Sequence, residues 1–244
     1  LRHLVEAKEA LDVPVIASLN GTTRGGWTHY ARKIEESGAD ALELNVYLIP
    51  TDPYASGPDV ERRYLDLVEA VRSEVTIPLA VKIGPYFSST PHMAQQLVDA
   101  GADGLVLFNR FFQPDIDLET LEVVPRVNLS PRTAILLPLR WTGILRGQVR
   151  ADLAITSGVH GAEDALKAVL VGADVAMMAS TLLRGGAGQV ATMVAEMQEW
   201  LDEHEYDSIE QMKGSMSIGA AANPDAFVRA NYMKILTTYT SQVS

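Results

Sequence analysis

One short phrase occurs three times in this chain and constrains the fold more than any other feature. In each copy a helix-patterned stretch ends, the tripeptide Gly-Ala-Asp follows, and an apolar run begins. Glycine ends a helix in the left-handed conformation, and the chain then enters a buried strand. Strands that alternate with helices in this way are typical of βαβ units in a parallel sheet. The copies are Ser37-Gly38-Ala39-Asp40, Ala100-Gly101-Ala102-Asp103 and Val171-Gly172-Ala173-Asp174.

Three further strands begin without the phrase, so the sequence predicts six strands in all. The expected strands are 14–20, 40–45, 78–83, 103–109, 152–157 and 174–179. The expected helices are 25–37, 59–74, 90–100, 139–148, 162–171 and 187–204, with an irregular insert at 110–138 and a helical tail at 205–244. No linker rich in glycine, proline or serine divides the chain, so we expect one domain over residues 1–244.

The number of strands bears on the type of sheet. A closed barrel of alternating strands and helices needs eight strands, and this chain opens inside a helix, residues 1–11, that should follow a strand. We therefore predict an α/β fold, a TIM (β/α)8 barrel that lacks its first two β/α units. A six-stranded doubly wound sheet is the alternative, which strand counting leaves open.

Composition excludes several classes of function. The formal net charge of −11 argues against a nucleic-acid partner, because phosphate binding needs a basic face. The absence of cysteine removes disulfides, thiolate metal sites and cysteine catalysis, and it fits a reducing cytoplasm. No apolar run approaches the roughly 18 residues that span a bilayer, and the histidines have no partners at metal-ligand spacing. We expect a cytoplasmic protein with no membrane, metal or nucleic-acid partner.

Polar side chains at the ends of three consecutive strands predict a site. Lys82 has the parity of an inward side chain near the carboxyl end of its strand, where barrels place their chemistry. Asn45 and Asn109 end the neighbouring strands, and their amides suit the ring edge of a pyrimidine or flavin. The alternative for Lys82 is an ion pair with Glu43, which has the inward parity on the preceding strand.

The last two strands predict a phosphate site. Thr156-Ser157-Gly158-Val159-His160-Gly161 lies between a strand and a helix, and Met178-Ala179-Ser180-Thr181 follows the last strand. Barrels commonly bind phosphate in the loops after strands seven and eight, with backbone N–H groups and a helix N-terminus. Small residues there let the backbone approach an anion.

Taken in order, these motifs are similar to those of the dihydroorotate dehydrogenase family, to which the flavin domain of dihydropyrimidine dehydrogenase also belongs. The chain looks closest to the bacterial dihydroorotate dehydrogenase-like members, N-terminally truncated, and the match runs over residues 13–214. The residues that carry it are Glu43-Leu44-Asn45-Val46, Val81-Lys82 with Pro85-Tyr86-Phe87, Asn109, Thr156-Ser157-Gly158-Val159 and Gly172-Ala173-Asp174.

The resemblance implies an FMN cofactor over the barrel mouth. By position, Lys82 would lie against the flavin ring and stabilise negative charge on it, as the inward cation also suggests. Asn45 and Asn109 would contact flavin or substrate. The flavin phosphate would be held by Ser157, Gly158, Ala179 and Ser180.

Two departures from the family pattern affect the chemistry. The family loop Asn-X-Ser-Cys-Pro-Asn carries the base that deprotonates substrate, but here that position holds Leu48 or Ile49. Tyr47 and Thr51 are candidate hydroxyl replacements, as are Tyr54 and Ser56. The residue after the substrate-binding asparagine is normally serine or threonine, and here it is Arg110, a candidate substrate contact.

The sequence therefore predicts an FMN-dependent oxidoreductase of the CH–CH donor type, acting on a pyrimidine-like or other small polar ring. Dihydroorotate is expected to be a poor substrate, because the usual base is absent. Two alternatives stay open: a barrel lyase or isomerase for a phosphorylated metabolite with Lys82 as Schiff-base lysine, and a non-catalytic barrel remnant. We expect a small-molecule substrate and a homo-oligomeric assembly.

Overall fold

The computed structural model describes residues 1–21, 24–111, 113–125 and 127–228, with Arg24 described by its backbone. Its strands are β1 (Ile16–Leu19), β2 (Ala41–Asn45), β3 (Leu79–Ile83), β4 (Gly104–Leu107), β5 (Pro114–Asp117), β6 (Glu122–Pro125), β7 (Asp152–Thr156) and β8 (Val175–Met177). Its helices are α1 (Arg2–Ala10), α2 (Arg24–Glu36), α3 (Gly57–Arg72), α4 (Thr90–Asp99), α5 (Leu136–Leu145), α6 (Ala162–Val171), α7 (Ser180–Gly185), α8 (Gln189–Glu203), α9 (Ile209–Met212) and α10 (Asp225–Val228).

Six strands form one parallel sheet in the order β1-β2-β3-β4-β7-β8. Each strand of this sheet pairs with the next one along the chain, and a helix lies between them. A doubly wound sheet reverses its strand order at a switch point, and this order has no reversal. The sheet is therefore a partial TIM barrel, as the sequence predicts.

The aspartate of each Gly-Ala-Asp phrase performs the same task in all three copies. It accepts a hydrogen bond from the backbone N–H just before or at the start of the preceding strand, at 2.6, 2.8 and 2.9 Å. It also pairs with a cationic side chain seven residues before that N–H, at 2.7, 3.1 and 3.4 Å. One carboxylate thus ties a helix and two strands together. The cation, N–H donor and aspartate are Lys8, Val15 and Asp40; Arg72, Leu79 and Asp103; and Arg146, Leu153 and Asp174.

The glycine of the phrase makes room for this arrangement. Gly101 and Gly172 have φ values of +109° and +111°, which favour glycine. A Cβ on them would lie 2.6 Å from the Cγ of Arg72 and 2.5 Å from the Cγ of Arg146. Where the cation is lysine, a Cβ on Gly38 would meet nothing within 4 Å. Glycine is thus needed both for the left-handed turn and, in two copies, for the arginine packed against it.

The hydrophobic core lies between the sheet and its helices. In β3, Leu79, Val81 and Ile83 are fully buried, while Ala80 and Lys82 alternate with them and line cavities on the inner face. This alternation confirms the predicted inward parity of Lys82. No helix among the described residues has the length and apolar character to cross a membrane.

Several predicted boundaries were wrong. The insert predicted as irregular contains the antiparallel pair β5 and β6 and a short 3-10 helix, Arg132–Ile135. Helix α5 begins at Leu136, three residues before the predicted start, because the tight turn at 132–135 leads directly into it. The last strand ends at Met177, and helix α7 was not predicted. Of the tail, 205–228 contains α9 and α10, and the prediction for 229–244 lies outside the described residues.

Candidate active site

A pocket of about 360 Å³ lies at the carboxyl ends of the parallel strands, where such barrels place their sites. It brings together nine of the residues that the sequence analysis assigned to cofactor, substrate or catalysis, and they come from the ends of five strands and the segments that follow them. They are Asn45, Tyr47, Lys82, Asn109, Arg110, Ser157, Gly158, Ala179 and Ser180.

Lys82 forms an ion pair with a buried carboxylate on the interior side of the sheet. Its Nζ lies 3.9 Å from the Oε1 of Glu43, and the Lys82 side chain is 18% exposed. The Ser18 hydroxyl donates a 2.6 Å hydrogen bond to the same Oε1 atom. The ion pair considered as an alternative in the sequence is therefore present, and Lys82 lines the pocket as well. Glu43 and Ser18 face a separate, deeper cavity in the barrel interior, so the carboxylate itself does not line the pocket.

The two asparagines play different parts. The Nδ2 of Asn109 donates to the carbonyl oxygens of Val46, at 2.8 Å, and Lys82, at 3.4 Å. This amide therefore ties the ends of β2 and β3 to the segment after β4. The Oδ1 atom of Asn45 is buried and has no hydrogen-bond partner. A buried acceptor without a partner is costly, so Asn45 is suited to an N–H donor on a ligand.

Two consecutive residues with positive φ shape the loop after β7. Ser157 has φ +77° and Gly158 has φ +78°. A Cβ on Gly158 would lie 2.3 Å from the backbone nitrogen of Ile135, so no other residue fits without displacing the 3-10 helix. Backbone in this conformation can turn successive N–H groups toward an anion.

Ser130 joins the loops after β7 and β8, and sequence reasoning missed it. Its Oγ lies 2.8 Å from the Oγ of Ser180 and accepts a 3.4 Å hydrogen bond from the Gly158 N–H. Its own N–H donates to Ser180 Oγ at 3.1 Å. Ser130 lies within the insert that the sequence predicted as irregular, where no periodic pattern marks a site residue.

A buried carboxylate fixes this part of the site. Asp164 is 1% exposed and accepts from Arg132 Nε at 2.8 Å and from the His160 N–H at 3.0 Å. Hydrogen bonds from the guanidinium to Asp164 and then Glu163 raise the pKa of Arg132 above its ordinary value. The segment that carries Ser130 is thereby tied to the loop after β7.

The loop after β2 separates the candidate replacements for the base. Tyr47 lines the pocket, with its ring centroid 4.4 Å from that of Phe111 and nearly perpendicular to it. Leu48 and Ile49 line a different cavity of about 470 Å³. Thr51 is exposed and does not line the pocket, because the chain has by then turned away from the strand ends.

A second cavity, of about 460 Å³, adjoins the pocket. Asn109, Arg110 and Asn128 line both spaces. No aspartate or glutamate lines either one within the described ranges, although the chain carries a formal net charge of −11. The cations there are Lys82 and Arg110, so both spaces favour anionic or electron-rich ligands. No group of metal-ligating side chains was found among the described residues.

Comparisons with known proteins assign the chain to a family. A family model described as dihydroorotate dehydrogenase matches residues 1–201. A putative dihydroorotate dehydrogenase A (fumarate) of Aeropyrum pernix is 29% identical over 221 residues, which are 87% of this chain and 71% of the relative. The catalytic subunit of a dihydroorotate dehydrogenase B (NAD(+)) of Listeria monocytogenes is 27% identical over 221 residues, again 87% of this chain and 71% of the relative. The NAD-dependent dihydropyrimidine dehydrogenase subunit PreA of Escherichia coli is 28% identical over 88% of this chain, which spans 55% of that relative.

Proposed function

Because the chain belongs to the dihydroorotate dehydrogenase family, we propose that it is an oxidoreductase that binds FMN in the pocket at the strand ends. The substrate of this proposal is a small ring compound oxidised or reduced at a CH–CH bond. The observation that carries it is the pairing of a cation and an unpartnered amide acceptor at one end of the pocket with tight backbone turns at the other.

The residues present fit a flat ring with an anionic tail. Lys82 and Asn45 offer a cation and a buried acceptor to the polar edge of a ring. Apolar side chains such as Val159, Met178 and Leu183 line the same pocket and suit the faces of the ring. The backbone at 157–158 and the hydroxyl groups of Ser130 and Ser180 suit a phosphate, as do the small residues around them.

Each group would then have a separate task. When bound, FMN would supply the acceptor or donor of two electrons. Lys82 would stabilise negative charge at the ring edge, because a fixed cation in a water-poor site needs no reorganisation. Glu43 would keep the ammonium in place from the interior side. Asn45 would orient the ring by accepting its N–H.

The proton of the reaction needs a group other than the usual base. Tyr47 is the candidate hydroxyl that lines the pocket, whereas Thr51 does not. In this proposal the Tyr47 hydroxyl therefore exchanges the proton that leaves or reaches the substrate carbon. The usual base position holds Leu48 or Ile49, which cannot take a proton, so turnover of dihydroorotate at neutral pH should be slow.

Titration of the full chain with FMN and with riboflavin tests the proposal. Both ligands carry the ring, and only FMN carries the phosphate. We expect FMN to bind, with quenching of its fluorescence, at least about tenfold more tightly than riboflavin, because charge-assisted hydrogen bonds to phosphate are strong. Absence of FMN binding after desalting would overturn the assignment, and equal binding of the two would remove the phosphate site from it.

A further inference from the structure

The cavity that adjoins the pocket has no assigned ligand. It is larger than the pocket, about 460 Å³ against 360 Å³, and it shares a wall with it at Asn109, Arg110 and Asn128. A ligand there would lie next to whatever occupies the pocket. Phe108, Thr156 and Ser157 also line both spaces, so the cavity is a compartment that opens onto the pocket at the barrel mouth.

One end of the compartment is cationic. Arg110 donates a hydrogen bond to the backbone carbonyl oxygen of Asn128, which holds its guanidinium in the shared wall. That bond does not neutralise the charge. No carboxylate lines the compartment within the described residues, so the cation there is not balanced by the lining. A planar guanidinium in this position matches a carboxylate, which it can bind through two parallel N–H donors.

Part of the compartment is apolar and aromatic, and the remaining lining includes the polar side chains of Gln113, Thr133, Thr156 and Ser157. The rings of Tyr86 and Phe111 stack with centroids 5.3 Å apart and an angle of 16°. Leu136 and Leu137 line the compartment from the start of α5, and they are 64% and 44% exposed. The two exposed leucines and the ring pair line the same space, and a ligand body there would cover their apolar surface.

We propose that this compartment binds a carboxylic acid with an aromatic or similarly apolar body, its carboxylate on Arg110 and its body between Tyr86–Phe111 and Leu136–Leu137. Its identity as the substrate rests on the proposed function, but its binding does not. The substrate class is then an apolar acid larger than a pyrimidine. Arg110 sets the preference for an anion, and the leucines set the preference for an apolar body.

Calorimetric titration of the full chain tests this without any flavin. The probes are 2-naphthoate, its neutral analogue 2-naphthalenemethanol, and orotate, which is an anion on a polar ring. We expect naphthoate to bind most tightly. Arg110→Gln should weaken naphthoate about tenfold or more and leave naphthalenemethanol nearly unchanged. Leu137→Asn should weaken both naphthalene probes, because it removes apolar contact.

Arg140→Gln is the matched control, since Arg140 is exposed on α5 and does not line the compartment. It should change neither affinity. Circular dichroism establishes that each variant is folded. No binding of naphthoate, tighter binding of orotate, or an unchanged affinity in folded Arg110→Gln would each overturn the proposal. If naphthoate binds as expected and FMN does not, the compartment stands and the proposed oxidoreductase function fails.

Discussion

At the scale of single residues, Lys82 shows how a structural and a functional role coexist. The sequence left open an ion pair with Glu43 or a place against a ligand, and the side chain makes the ion pair and also lines the pocket. A buried carboxylate beside an ammonium keeps the cation in position, and at 3.9 Å the two groups are too far apart to share a hydrogen bond. The Ser18 hydroxyl takes the nearer place on that carboxylate, at 2.6 Å.

Replacement of Lys82 by methionine should therefore affect chemistry more than folding. We expect Lys82→Met to slow flavin reduction by a surrogate donor on the order of 10²-fold, since the charge that forms on the ring loses its counter-charge. Stopped-flow absorbance of the FMN-loaded chain measures this. Lys33→Met, at an exposed position on α2, should leave the rate unchanged. An unchanged rate in Lys82→Met would place the lysine away from the reacting ring.

Gly158 carries a second prediction at this scale. Its φ of +78° and the 2.3 Å approach of a built Cβ to the Ile135 nitrogen both oppose a side chain. We expect Gly158→Ala to lower the free energy of unfolding by about 1–3 kcal/mol and to weaken FMN binding. Gly219→Ala, at an exposed glycine without positive φ whose Cβ would meet nothing within 4 Å, is the control for urea unfolding. Similar losses in the two variants would contradict this account of the loop.

At the scale of elements, the aspartates of the three Gly-Ala-Asp phrases connect helices to strands through one ion pair and one backbone hydrogen bond each. The aspartate at the start of β8 is the most heavily engaged of them. Burial acts to raise the pKa of Asp174, but the N–H of Leu153 and the cations Lys213 and Arg146 outweigh it and lower the pKa below its ordinary value of 3.8. The Nζ of Lys213 lies 2.9 Å from the Oδ1 of Asp174, so the segment after α9 is bound to the same carboxylate.

The lowered pKa of Asp174 predicts a pH dependence of the free energy of unfolding. Because the folded pKa is below the unfolded one, Asp174 contributes its full stabilisation above pH 3.8 and loses it as the pH falls through the lower folded value. Asp174→Asn should be less stable than the parent at neutral pH and should lose less on acidification. Urea unfolding at a series of pH values measures both. Asp12→Asn, at an exposed position, should follow the parent. Parallel curves for the parent and Asp174→Asn would show that this carboxylate does not couple folding to pH.

At the scale of the whole molecule, the sheet has two edges that are unpaired among the described residues. In that part of the chain, strand β1 pairs with β2 alone, and β8 pairs with β7 alone. Ile16 on β1 and Val175 on β8 are 56% and 47% exposed. Open edges present unpaired N–H and C=O groups that pair readily with another chain. This geometry supports the expected homo-oligomer for the chain as it stands.

We therefore expect the 244-residue chain to elute as species larger than its 26.5 kDa monomer mass. Val175→Lys places a charge on the β8 edge and should shift the population toward monomer. Val190→Lys, on the exposed face of α8, adds the same charge elsewhere and should not. Size-exclusion chromatography with light scattering distinguishes them. A monomeric parent chain would show that the edges do not associate.

The sequence by itself determined the alternation of strands and helices, because Gly-Ala-Asp is a local signal: a left-handed glycine ends the helix and an apolar run starts the strand. Period-two alternation in 79–83 likewise fixed the inward direction of Lys82. Asn45, Lys82 and Asn109 could be named in advance because strand ends of a parallel sheet meet at one edge, whereas Tyr47 and Arg110 were named from the family resemblance.

Only the tertiary structure decided what depends on contacts between distant segments. Ser130 enters the site through bonds to Ser180 and Gly158, which are 50 and 28 residues away and leave no periodic trace in the chain. Thr51 falls outside the pocket because a loop's path is set by packing and not by its residue types. The sequential strand order, which excludes the doubly wound sheet, also rests on hydrogen bonds between strands that no local pattern specifies.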